Sequence, residues 1–72
     1  VEQAIGREAV EAYEAALSSL PEPQQEAVIL RVEFGFSYPE IAAALGRSSS
    51  NAVRMMVSRS LVRLAEVMHE RR

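Results

Sequence analysis

Cysteine, lysine and aspartate are absent from these 72 residues, and histidine occurs once, as His69 near the end of the chain. Without cysteine there is no disulfide framework and no thiolate metal site. Without cysteine, lysine and aspartate, no nucleophile–base pair and no paired-carboxylate cleft is apparent, so an enzyme is not expected. His69 stands beside Glu66 and Glu70, but a single imidazole at a fraying helix end makes a poor ligand set. It reads as solvated surface, and neither a metal nor a cofactor is expected. Long hydrophobic runs are missing too. No stretch approaches the roughly 18 apolar residues of a membrane span, and no signal-peptide pattern opens the chain. A soluble, cytoplasmic protein without membrane insertion is the plain expectation. The chain begins at Val1, which suggests a fragment of a longer protein.

What is present is apolar and unevenly charged. Apolar residues make up 49% of the chain, enough for a compact helical fold and too much for disorder. Residues 1–40 hold eight Glu and two Arg, whereas residues 41–72 hold six Arg and two Glu. Such asymmetry between halves favours a nucleic-acid partner, although the same charges also suit solvated helix faces. Every basic side chain is a guanidinium, which makes bidentate contacts to phosphate or guanine more readily than an ammonium does.

The apolar spacing predicts four helices in a single domain over residues 1–72, an all-α fold closing on a helix-turn-helix. In the first helix Ile5, Ala9, Ala12, Tyr13, Ala16, Leu17 and Leu20 form a stripe, with Glu8, Glu11 and Glu14 facing water. Leu20-Pro21-Glu22-Pro23 ends that pattern and starts a second helix, because proline is tolerated only in a first turn. This helix is expected to run to about Phe34 and to stop at Gly35. Val28, Ile29 and Val32 share one of its faces, and Ala27, Leu30 and Phe34 share another. Two apolar faces imply either a central place in the bundle or a surface offered to a partner. A domain this small seldom buries both, so Leu30 and Phe34 are expected to form a protein-docking surface.

Ser37-Tyr38-Pro39-Glu40 fits a capping box with proline in the first turn. The short third helix then points Ile41, Ala42 and Leu45 inward and stops at Gly46. After Arg47-Ser48-Ser49-Ser50 the last helix runs from Ser49 or Ser50 to near His69. Val53, Val57, Leu61, Leu64 and Met68 form its inner stripe, with Met56 and Ser60 at the edges.

A short helix, a glycine turn and a longer basic helix make a helix-turn-helix, whose second helix enters the major groove. With Val53 and Val57 buried, Asn51, Met55, Ser58, Arg59 and Val62 lie on the far side, flanked by Arg54 and Arg63. Two arginines, Arg54 and Arg59, with an amide and a hydroxyl, lie within two and a half turns of that exposed face and can satisfy base edges and phosphates. Asn51 also suits a cap region, and Arg47 is equally placed to touch a phosphate or to decorate the turn.

Leu17-x-x-Leu20-Pro21, Ile29-Leu30-Arg31, Gly35-Phe36-Ser37-Tyr38-Pro39-Glu40-Ile41-Ala42 and Leu45-Gly46 together resemble region 4 of the sigma-70 family. Val53-Arg54, Arg59 and Leu64 match the extracytoplasmic-function branch best. The resemblance covers about Tyr13 to Met68, leaving residues 1–12 as a helical extension or linker end. It implies recognition of the promoter −35 element within a bacterial RNA polymerase holoenzyme. It implies Arg54, Met55, Ser58 and Arg59 at the major groove, and Arg31, Tyr38 and Arg63 near phosphates. It also implies docking on the flap of the polymerase β subunit, where an anti-sigma factor or other regulator could compete.

The chain departs from the family pattern in three places. The turn before the last helix is one residue longer than usual, Ala52 replaces a frequent Thr, and Met56 replaces a frequent Arg. Two other readings stay open: the output domain of a LuxR-type response regulator, and a sigma-like docking module without DNA binding.

Overall fold

A computed structural model describes residues 2–70, the first four of these by backbone alone. Four helices follow one another: α1 (Glu2–Ser18), α2 (Glu22–Val28), α3 (Tyr38–Ala44) and α4 (Ser50–Glu70). The described residues contain no strand. The expected boundaries at Pro21, Gly35 and Gly46 are all present.

The α1–α2 corner satisfies its own backbone. Pro21 caps α2 with an extended ψ of 149°, and Pro23 sits in the first turn, where its missing N–H costs nothing. Gln25, one turn into α2, reaches back so that its amide nitrogen donates to the carbonyl of Leu20 at 2.7 Å. That carbonyl would otherwise lack an intrahelical partner.

The end of α2 differs from the expected plain helix to Phe34. Residues Ile29–Glu33 form a π-helical turn, closed by the Phe34 N–H donating to the Ile29 carbonyl at 3.3 Å. The turn gives way to Gly35 at φ 72°, and the Phe36 N–H then donates to the Leu30 carbonyl at 3.0 Å. A π turn fits an extra residue into each circuit. Val32, four residues after Val28, therefore falls short of a full revolution and turns outward instead of stacking above it.

Two apolar clusters form the core, and α2 lies between them. Ala16, Leu17, Leu20, Val28 and Leu64 make the first, with Tyr13, Ile29, Val67 and Met68 at its margin. Ala27, Ile41, Ala42, Val53 and Val57 make the second, with Leu30, Phe36, Tyr38, Leu45 and Met56 at its margin. Neighbouring residues Ala27 and Val28 thus serve opposite clusters, which gives α2 the central place that its two apolar faces allowed. Leu61 packs against both.

Two expectations are corrected by this packing. Ser60, expected at the edge of the α4 stripe, is fully buried while Leu61 is only half-buried. Its hydroxyl makes the burial tolerable by donating to the Met56 carbonyl at 2.8 Å and to Gln24 Oε1 at 3.2 Å. The α1 stripe docks only through its C-terminal half. Ala16, Leu17 and Leu20 are buried, whereas Ala9 and Val10 are exposed; Ile5 lies outside the described side chains. The described part of α1 is fastened at its middle, where Tyr13 Oη donates to Glu33 Oε2 at 2.9 Å.

Candidate nucleic-acid interface

The α3–turn–α4 unit is built from its caps outward. At the start of α3 the Ser37 N–H donates to Glu40 Oε1 at 2.7 Å, and the Glu40 N–H donates to Ser37 Oγ at 3.2 Å. This is the capping box expected from the sequence. The backbone N–H of Ser37, and then its hydroxyl, hold the Glu40 carboxyl below its ordinary pKa.

At the other end of α3, Gly46 takes φ 69°. The Arg47 N–H donates to the Ala42 carbonyl at 2.7 Å and the Gly46 N–H to the Ala43 carbonyl at 3.2 Å. Those two bonds are the pair that ends a helix through a left-handed residue. Three residues later Ser49 Oγ accepts from the Ala52 N–H at 3.1 Å and opens α4. Both ends of the turn are therefore fixed by hydrogen bonds, and α3 packs across α4 through Ile41, Ala42, Val53 and Val57.

This packing sets which side of α4 meets solvent. Val53, Val57, Ser60 and Leu64 are buried, and Asn51, Arg54, Met55, Ser58, Arg59, Val62 and Arg63 are exposed. Met55 is 46% exposed and Val62 61%. Arg54 bends back along the helix so that Nη2 donates to Asn51 Oδ1 at 2.8 Å. Arg63 lies 3.8 Å from Glu66, an exposed pair that screening makes weak. Arg59 has no ion-pair partner among the described residues.

The other expected contacts fall outside this face. Arg47 is exposed and borders an open groove of 300 Å³ shared with Pro23, Glu26, Ala44 and Leu45. Arg31 lies over the Tyr38 ring, 4.4 Å from its centroid, and donates to the Phe36 carbonyl at 2.9 Å. The two residues form one stacked unit beside the capping box, a pairing that the sequence did not reveal.

The apolar surface at the end of α2 also differs from expectation. Leu30 is half-buried against the second cluster, whereas Phe34 is 64% exposed and Val32 52% exposed. The π turn carries Val32 outward, while Leu30 keeps the side it shares with buried Ala27. Phe34 rests its ring edge-to-face on Phe36, with centroids 6.2 Å apart.

Among the described residues no helix is long and apolar enough to cross a membrane, and no three metal-ligating side chains gather. A family model described as Sigma-70, region 4 matches residues 10–64, well over half of the chain. Comparison with curated proteins and with solved structures gave no match.

Proposed function

The chain belongs to the sigma-70 region 4 family, and from that premise we propose that it reads the promoter −35 element as part of an extracytoplasmic-function sigma factor. The observation that carries this reading is the exposed face of α4. There Asn51, Arg54, Met55, Ser58 and Arg59 stand opposite a buried Val53–Val57 side and behind a turn capped at both ends. A helix held in that way can enter a major groove with its early residues at the base edges. Arg54 and Arg59 supply guanidinium forks, while Arg47, Arg63 and the Arg31–Tyr38 unit lie where backbone phosphates would pass. The family match also favours this reading over a LuxR-type output domain.

Polymerase is the second partner in this proposal. The surface around Phe34 and Val32 would dock on the β-subunit flap, and an anti-sigma factor would compete there. Leu30 would support that surface from beneath. The whole assembly would work in the cytoplasm.

Selection of duplexes from a random pool by the 72-residue chain, at low salt, tests the DNA-reading claim. Enrichment of one motif, with affinity falling as salt rises, is expected. Failure to enrich any sequence under those conditions overturns it.

A further inference from the structure

The charge on the exposed face of α4 is at its flanks, and its centre is neutral. At 3.6 residues per turn, Asn51, Met55, Ser58 and Val62 fall within an arc of about 60° opposite the buried side. Arg54 and Arg59 sit about 40° outside that arc, one on each side. The hydrogen bond from Arg54 to Asn51 draws its guanidinium back toward the helix start, away from Met55. The usable length is limited as well. Beyond Arg63 the exposed side of α4 carries Glu66 and Glu70, which would repel phosphates.

We propose that Met55 is a specificity-determining residue that reads the 5-methyl group of thymine in the major groove. This inference rests on the DNA-reading function proposed above and names what that face recognises. The flanking arginines fit phosphates, or guanine edges, on the two sides of a groove; what lies between them must fit the groove floor. Thymine is the base that presents an apolar group there. Met55 stands in the second turn of α4, 46% exposed without helping to hold the core. Its flexible thioether suits an irregular apolar contact. A second copy of this chain is a poorer occupant, because a two-fold contact would bring the arginines of this face against those of its copy.

The test compares duplexes carrying the selected motif with duplexes in which single thymidines are replaced by deoxyuridine. That change keeps every hydrogen-bonding edge and removes one methyl. Affinity of the 72-residue chain is expected to fall about fourfold at the contacted thymine. Met55→Ser, which should fold normally because its parent is exposed, is expected to bind both duplexes alike, and Met55→Leu to restore the difference. Equal affinity of the unmodified chain for thymidine and deoxyuridine at every position overturns the inference and leaves the DNA-reading function standing. Failure to bind any duplex overturns both. A dimer in sedimentation that Met55→Ser dissociates assigns the face to a second copy and overturns the inference.

Discussion

Ser60 and Gln24 meet across the α2–α4 interface, Oγ to Oε1 at 3.2 Å, although 36 residues separate them in sequence. Ser60 also donates to the Met56 carbonyl, so one hydroxyl proton is shared between a helix's own backbone and a neighbouring helix. Ser60→Ala is expected to destabilise the fold by about 1 kcal/mol, the usual net contribution of such a bond. For a domain of this size that lowers Tm by roughly 4–8 °C. Thermal unfolding followed by circular dichroism checks it; an unchanged Tm would mean that Gln24 and Met56 are as well served by water.

Alkaline pH should loosen the α1 contact. Burial, and then the hydrogen bond and negative charge of Glu33, push the Tyr13 phenol up from 10.0 to about 12. The folded state favours the protonated phenol, so this contribution is fully present below pH 10 and is lost as pH rises toward 12. The urea midpoint should therefore fall over that window, and Tyr13→Phe should flatten the fall. The same slope in both proteins would refute the assignment.

The capping box gives the opposite dependence at acid pH. The Glu40 carboxyl is held below its ordinary pKa by Ser37, so its contribution is present above the ordinary carboxylate range. It is lost as pH falls through the lowered value. Glu40→Gln should make stability less sensitive to acid over that range. Ser37→Ala should cost about 1 kcal/mol at neutral pH, as removal of an N-cap hydroxyl commonly does. Urea titrations of the three proteins at several pH values measure both effects.

Phe34 and Leu30 should separate cleanly. Phe34→Ser alters an exposed ring, so helix content is expected to persist while capture by core RNA polymerase is lost. Leu30→Ser puts a hydroxyl beside the second cluster and should lower stability by about 1–3 kcal/mol, somewhat less than truncating a core Leu does. Polymerase binding undiminished by Phe34→Ser would move the docking surface elsewhere.

Arg59→Ala should cost about 1–3 kcal/mol of DNA affinity and relax sequence preference, as loss of a bidentate base contact does. An equal loss on every sequence would instead make Arg59 a phosphate contact. Anisotropy titrations on selected and scrambled duplexes distinguish the two.

The fold was largely legible because its signals are local. Proline at positions 21 and 23, the Ser37–Glu40 capping box and the glycines at 35 and 46 each act within a few residues, and each marks a boundary that the structure has. Apolar spacing likewise indicated which side of α4 is buried. Side-chain meetings between helices were not legible. Ser60 looks like an edge residue until Gln24 arrives from α2, and nothing near Arg31 in sequence announces a stack on Tyr38. The π turn escaped for a related reason. It changes hydrogen bonding without changing composition, so a wheel drawn at 3.6 residues per turn puts Val32 beside buried Val28 and gives no sign that it turns outward.

Leu61 touches both apolar clusters, and this has a consequence for how the domain comes apart. Were the clusters joined only through backbone, α1 could detach while the α3–α4 unit stayed folded. A shared side chain on the longest helix makes loss of either cluster weaken the other. The docking of α1 and the packing of α3 on α4 are thereby coupled through one side chain. A partner that pries α1 loose would thus weaken the packing of α3 on α4 without touching α3.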